Sequence, residues 1–284
     1  MKKIIDVSQH NGTIDFNKVK ESGIEGVIIR IGWLGNKENH TLDTKFVENM
    51  KKAKEVGLPI GIYVYSYCVR KDTIESGIKW LIRKIKEYNF TNDISYPIFL
   101  DLEDSTISGL TKSSLTDQAV TFCEIIKNYG YKAGVYANKN WFLNKLDINK
   151  LLDYKIWLAE WNGRNNHTLG YKVDLWQYSS NGQVPGIKGR VDMNNCLCEC
   201  RDIKPIENKP KESEEFEMAK TYKNGSTIEV VYSDSSLKNA IGNLNKYETC
   251  ECLGIVNGRY IVKYKIDGTS NYKVGFVKYS GGVK

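Results

Sequence analysis

The feature that most constrains the fold is an alternation of short apolar runs with segments of helical periodicity. Eight apolar runs of strand length recur before residue 196, and amphipathic segments separate the early ones. The predicted strands are residues 4–8, 26–33, 59–67, 96–104, 132–138, 155–161, 173–179 and 189–195. Strand–helix alternation favours parallel pairing through helical crossovers, and eight strands favour closure into a barrel.

The helical segments accompany the first part of this pattern only. Apolar residues recur at helical spacing in residues 15–22, 43–56, 72–88 and 114–129, and several of these segments end at a glycine. After the fifth strand the connections shorten, with one brief piece at 141–152. The sequence therefore predicts an α/β barrel that loses its helices in the last third.

The fourth predicted strand is an apolar run that ends in carboxylates, Asp101 and Glu103. Residues two apart on a strand point to the same side, so these two acids are expected to share one face. Buried charge is costly unless it is paired or used, which favours a catalytic site here. The alternative is an acidic strand end that faces solvent.

Further polar and aromatic residues follow the other strands, whose carboxyl ends meet at one mouth in such a barrel. Acids beside flat rings are suited to a carbohydrate ligand. The acids are Asp6, Asp101, Glu103 and Asp192, and the predicted substrate-binding residues are Tyr65, Tyr136, Trp161, Trp176, Gln177 and Asn194. Taken singly, Asp6 and Asp192 are also compatible with structural roles, and the tryptophans with core positions.

Two points stay open from the sequence. Strand alternation does not decide which of Trp176 and Gln177 faces the cleft. Glu160 is expected to contact substrate or to pair with Arg164 or Arg190 at the rim.

Charge and hydropathy exclude several partners. The formal net charge of +7 is modest and the lysines are scattered, which argues against nucleic-acid binding and is compatible with an anionic polymer. No apolar run approaches the ~20 residues that span a bilayer. The start of the chain reaches Asp6 before a signal-peptide core forms, so we expect synthesis in the cytoplasm and another exit route for any external work.

Cysteine and histidine usage argues against metals and cofactors. Seven cysteines are an odd number, and the absence of a secretory signal makes a disulfide framework unexpected. The Cys-x-Cys groups are Cys196, Cys198 and Cys200, and Cys250 with Cys252; their spacing differs from that of common zinc sites. The three histidines form no metal-ligand pair at short spacing, which disfavours a metal-dependent peptidase or amidase.

Composition changes after the predicted barrel, residues 1–203. Residues 204–218 are charged and contain two prolines, which is typical of a linker. Residues 219–284 contain short β-type runs separated by Asn-Gly and Asp-Gly turns, which predicts a small all-β domain. Its ten Lys and Arg residues against five Asp and Glu residues favour an anionic cell-wall partner.

Four motifs resemble the glycoside hydrolase family 25 lysozymes, the Chalaropsis-type muramidases, over about residues 1–200. They are Asp6-Val7-Ser8-Gln9-His10-Asn11-Gly12, Asp101-Leu102-Glu103, Trp176-Gln177-Tyr178 and Val191-Asp192-Met193-Asn194. The resemblance implies a flattened barrel of five strand–helix units and three further strands. It also implies hydrolysis of the β-1,4 bond from N-acetylmuramic acid to N-acetylglucosamine in peptidoglycan.

Glycosidic cleavage needs a proton donor and negative charge beside the developing cation. Glu103 is the expected donor, with a pKa raised by neighbouring acids and apolar walls. Asp101 is expected to stay ionised and to orient the substrate's 2-acetamido group as internal nucleophile. The alternatives are inversion, with Asp6 or Asp192 as base, and a barrel that binds wall carbohydrate without catalysis.

The C-terminal segment resembles the bacterial SH3-like modules of wall hydrolases. The combination is typical of a phage endolysin that waits in the host cytoplasm until a holin opens the membrane, and a bacterial autolysin is the alternative. Met218, at the end of the linker, is a candidate internal start for a free binding module.

Overall fold

The computed structural model describes residues 2–36, 39–197, 220–233, 237–256, 259–278 and 282–283. The chain divides into two compact units, Met1–Lys209 and Pro210–Lys284. The predicted linker, the internal start at Met218, Cys198 and Cys200 lie outside the described residues.

The first unit is built on a closed barrel of eight strands, as predicted. Eight strands follow one another in the order β1-β9-β8-β7-β6-β5-β4-β2, a further pairing of β1 with β2 closes the ring, and the short β3 lies beside β2. The strands of the described part are β1 Lys2–Val7, β2 Val27–Leu34, β3 Thr41–Leu42, β4 Ile60–Ser66, β5 Ile94–Asp101, β6 Ala133–Asn138, β7 Lys155–Ala159, β8 Leu175–Gly182 and β9 Val191–Cys196.

The last strand corrects one expectation, that all strand carboxyl ends meet at the mouth. β9 runs antiparallel to both β8 and β1, so its amino end lies at that mouth. The connection from β8 spans residues 183–190, shorter than the dozen or so residues of a parallel crossover, which requires the chain to return in a hairpin.

Four helices cover the barrel at the predicted places: α1 Phe16–Glu21, α2 Phe46–Glu55, α3 Lys71–Glu87 and α4 Lys112–Asn128. Thr111 caps the start of α4, because its side chain accepts from the Ser114 N–H. After β6 a π-helical turn, Trp141–Lys145, and a 3-10 turn, Ile148–Leu151, replace a fifth helix. The predicted five strand–helix units and three strands are confirmed, with the last helix reduced to turns.

Two apolar layers result from the alternation of side chains along the strands. Residues such as Ile5, Ile29 and Val135 pack between the barrel and its helices. A second cluster, including Ile4, Phe99 and Trp157, fills the barrel interior, with the Phe99 and Trp157 rings 5.1 Å apart. This inner layer closes the barrel, so polar side chains collect above it at the mouth.

The second unit is all β, as predicted. Its described strands form one sheet in the order β12-β11-β15-β14-β13-β10-β16. They are β10 Lys220–Lys223, β11 Glu229–Tyr232, β12 Ala240–Leu244, β13 Thr249–Val256, β14 Arg259–Lys265, β15 Tyr272–Val277 and β16 Gly282–Val283. Tyr222, Val231, Val262 and Val277 are central to its core, which also contains Cys250.

No helix in the described part of the chain is both long enough and apolar enough to cross a membrane.

Candidate active site

The barrel mouth collects the four acids that the sequence predicts. Asp6, near the end of β1, lies directly opposite Asp192, near the start of β9. Asp101 is the last residue of β5, and Glu103 follows it in the loop. The charges of Asp192 and Glu103 both raise the pKa of Asp6, and those of Glu103 and Asp6 raise that of Asp101, so the four carboxyl groups form one electrostatic cluster.

Asp6 is held by two buried amides. Its Oδ2 accepts from Asn194 Nδ2 at 2.8 Å and from Gln177 Nε2 at 3.0 Å. Both side chains are almost completely buried, so they position Asp6 from within the barrel. This role differs from the predicted substrate-binding role of Gln177 and Asn194, because their buried amide groups are already engaged by protein partners.

Glu103 is the accessible member of the cluster. The residue is exposed at the opening, and its carboxyl group lies at the Tyr136 hydroxyl. Burial of the carboxyl raises its pKa, the neighbouring Tyr136 hydroxyl opposes this shift, and the charges of Asp192 and Asp104 add to it. This raised pKa agrees with the prediction for a proton donor.

Asp101 differs from its prediction. It is buried, and burial raises the pKa of its carboxyl well above the usual range, with Glu103 and Asp6 adding to the shift. This environment favours the neutral form of Asp101, whereas the ionised form was predicted.

An ion pair that was not predicted from the sequence influences the charge of Asp101. Arg30 Nε donates to Asp43 Oδ2 at 2.8 Å, and the Asp43 side chain is fully buried. Arg30 is the cation that lowers the pKa of Asp101 and so moderates the acidic cluster. A lone Arg within an apolar run was a signal for this role, but its partner Asp43 comes from the segment before α2.

The aromatic residues that were predicted to bind substrate divide into exposed and buried members. Trp161 is 60% exposed, and its Nε1 donates to Gln177 Oε1 at 3.1 Å. Tyr65 is half-buried, donates to Asp104 Oδ2 at 3.0 Å and lies 5.0 Å from the Tyr67 ring. These rings are available to a ligand at the mouth.

The structure contradicts the predicted sugar-stacking role of Trp176 and Tyr136, because both rings are buried. Trp176 is 2% exposed and packs in the layer between barrel and helices, since on β8 it is Gln177 that faces inward. Tyr136 is buried in the barrel interior and offers its hydroxyl, which donates to Gln177 Oε1 at 3.1 Å, instead of its ring face.

Glu160 also differs from expectation. Its carboxylate pairs with Lys139 at 3.1 Å and accepts from the Thr168 N–H, which pins the loop after β7. Neither Arg164 nor Arg190 is its partner in these contacts.

Within the described residues, no group of three or more His, Cys, Asp or Glu side chains is arranged to hold a metal ion.

A closed α/β barrel with carboxyl groups and exposed aromatic rings at its mouth defines a glycoside hydrolase class of site. Residues 5–187 match the family model of the glycosyl hydrolases family 25, and the chain belongs to this family.

Similar proteins include an autolytic lysozyme, an autolysin and an endolysin. An autolytic lysozyme from Clostridium acetobutylicum is 27% identical over 68% of this chain and 55% of its own length. The modular autolysin LytC from Streptococcus pneumoniae, solved with a synthetic peptidoglycan ligand, is 30% identical over 68% of this chain and 46% of its own, with a TM-score of 0.60. The CTP1L endolysin is 25% identical over 70% of this chain and 68% of its own, with a TM-score of 0.59. The chain thus spans about half the length of the first two relatives.

Proposed function

We propose that the protein is a lysozyme that cleaves the β-1,4 bond from N-acetylmuramic acid to N-acetylglucosamine in peptidoglycan. Membership of the family and the similarity to an autolytic lysozyme support the substrate class. The observation that carries the proposal is the position of Glu103, a residue exposed at the mouth whose carboxyl group lies beside three further acids and has a raised pKa.

Glu103 acts as the general acid in this proposal. A carboxyl group with a raised pKa keeps its proton to higher pH and can deliver it to the leaving oxygen as the glycosidic bond breaks. Asp192 and Asp104 help to retain that proton until substrate arrives, because their charges disfavour a second negative charge.

Asp101 orients the substrate's 2-acetamido group. Its Oδ1 has no hydrogen-bond partner in the described structure. An N–H donor supplied by the substrate would favour the ionised form of Asp101, since a hydrogen bond to a carboxylate lowers its pKa. Ionised Asp101 then supports attack by the acetamido oxygen on the anomeric carbon. Inversion with Asp6 or Asp192 as base is the alternative.

Mass spectrometry of digested wall fragments tests the bond specificity. The proposal predicts products that end in reducing N-acetylmuramic acid. Products that end in reducing N-acetylglucosamine, or peptides released without sugar cleavage, would contradict it.

We propose further that the enzyme serves in lysis as a phage endolysin, with a bacterial autolysin as the alternative. Similarity to the CTP1L endolysin supports the former and similarity to LytC the latter. The genes beside this one distinguish them: a neighbouring holin gene supports the endolysin, and a bacterial wall-synthesis neighbourhood contradicts it.

The second unit is proposed to be an SH3-like module that binds the wall. One face of its sheet presents Lys263, Lys265 and Tyr272; Lys263 Nζ lies 5.7 Å from the centre of the Tyr272 ring and pairs with Glu251 at 3.5 Å. Lysines beside an exposed ring are suited to an anionic wall polymer that carries sugar or polyol units.

Met218 is proposed as an internal start that yields this module alone. Support comes from the CTP1L endolysin, whose activity is described as regulated by a secondary translation product. Expression of a Met218→Ala variant should abolish a short C-terminal product. A short product that persists unchanged would exclude the proposal.

A further inference from the structure

The two amides that hold Asp6 converge on a single oxygen atom. Gln177 Nε2 and Asn194 Nδ2 both donate to Asp6 Oδ2, at 3.0 and 2.8 Å. A carboxyl oxygen has two lone pairs, so two N–H donors occupy Oδ2 fully. Any proton on Asp6 must therefore sit on the other oxygen, Oδ1.

The orientation of both amides is fixed by groups on their far side. An indole N–H can only donate, so the amide atom that it contacts must be the oxygen. Trp157 Nε1 contacts Asn194 Oδ1 at 2.7 Å, and Trp161 Nε1 contacts Gln177 Oε1 at 3.1 Å. Each amide consequently turns its NH2 group toward Asp6.

Asp192 faces the other oxygen of this pair of acids. It lies directly across from Asp6 in the antiparallel β1–β9 pair, and its charge raises the pKa of Asp6. Two carboxylates this close repel each other, which favours a state with one proton on the pair. Since Oδ2 of Asp6 is occupied by the amides, a proton held by Asp6 is on Oδ1.

We propose that Gln177 and Asn194 are positioning residues that fix Asp6 with one oxygen as acceptor and its proton on the other. The Asp6–Asp192 pair then holds one proton and one negative charge. Burial and the charges of Asp192 and Glu103 also raise the pKa of Asp6, which agrees with a retained proton. The remaining groups that interact with Asp6 are Asp101 and the Tyr63 and Tyr136 phenols, while the charge of Arg30 is felt by Asp101 and Tyr63.

The single charge has a consequence for catalysis, and this step rests on the proposed function. Asp192 raises the pKa of Glu103, so one charge on the pair helps Glu103 to keep its proton. Loss of the proton on the pair would add a second negative charge to the site and alter the field in which Glu103 acts.

A Gln177→Glu variant tests the proposal, because the new side chain keeps the shape and the acceptor oxygen but donates to Asp6 only when protonated. At about pH 7 the variant should lose roughly 100-fold in hydrolysis, a loss typical of displaced active-site groups. Burial beside Asp6 raises the pKa of the introduced carboxyl group, so at about pH 5 it is protonated and replaces the amide donor, and activity should recover to within roughly tenfold of wild type. Asn194→Asp should behave in the same way.

Gln118→Glu is the matched control, since Gln118 is a fully buried Gln in α4, outside the site. It should become less stable as the pH rises but keep wild-type activity while folded. An equal loss for Gln177→Glu at both pH values in folded protein, or no loss at either, would overturn the proposal.

A second measurement does not depend on activity. The melting temperature of Gln177→Glu relative to wild type should fall as the pH rises from about 4.5 to 7.5, because a buried acid with a raised pKa stabilises only while neutral. A difference that does not change with pH would contradict the positioning role. A wild-type protein that fails to cleave peptidoglycan would instead contradict the proposed function and leave this readout intact.

Discussion

At the residue scale, the buried carboxyl groups couple the stability of the barrel to pH. Burial raises the pKa values of Asp6, Asp101, Glu103 and Asp192 in the folded protein. Such groups bind protons more tightly when folded, so the free energy of unfolding decreases as the pH rises from the unfolded values toward the folded ones. The site therefore carries a stability cost that grows toward neutral pH.

An Asp101→Asn variant should relieve part of this cost, because Asn is neutral at every pH. At about pH 7.5 its melting temperature should exceed that of wild type by roughly 2–4 °C, which corresponds to about 1 kcal/mol in a domain of this size. At about pH 4 the difference should disappear, since the unfolded and folded states then both hold much of the Asp101 proton. Calorimetry across this range checks the prediction, and a difference that is constant or grows at low pH would contradict it.

Residue chemistry also explains which site groups the sequence could predict. The four site acids were predictable because a carboxylate next to an apolar run is costly to bury unless it is paired or functional. They are Asp6, Asp101, Glu103 and Asp192. Gln177 was predicted as a site residue but with a different role, since its partners come from three distant strands and loops. The Arg30–Asp43 pair was missed because nothing local joins these two residues.

At the element scale, direction and alternation of strands decide what each residue does. The eight strands and four helices were predictable from periodicity alone, and so was the loss of helices after β6. The antiparallel direction of β9 was not predictable in this way. Because of it, the start of β9, with Asp192, lies at the mouth. Along β8, the side chain of Trp176 points outward and that of Gln177 points inward. The sequence predicts only the alternation; which of the two residues points inward follows from the closed barrel.

A pair of tryptophan variants tests this assignment. Trp161→Ala removes an exposed ring, so we expect a higher KM for wall fragments and little change in melting temperature. Trp176→Ala removes a buried ring from the core and should destabilise the fold by about 3–5 kcal/mol. Kinetics and thermal unfolding of both variants check the contrast. A large stability loss for Trp161→Ala with none for Trp176→Ala would contradict the assignment.

At the scale of the whole molecule, a catalytic barrel and a small β unit share one chain. In the proposed wall-binding role, the β unit would raise the effective concentration of substrate at the barrel. The composition change after the barrel predicted two units, and the division between them lies within the residues read as a linker.

Deletion of residues 219–284 measures this contribution. The shortened enzyme should lose at least about tenfold in lysis of whole cells but keep most of its activity on soluble wall fragments, because only insoluble wall benefits from tethering. Turbidity and reducing-sugar assays on matched samples check the prediction. Equal losses on both substrates would contradict a targeting role.

The most direct test of the central claim is the activity of Glu103→Gln, which keeps the shape of the side chain and removes its proton. Release of reducing sugar from purified peptidoglycan should fall by about 10²–10⁴-fold, while binding to the same wall material is retained. Hydrolysis within tenfold of wild type by the folded variant would contradict the assignment of Glu103 as the proton donor.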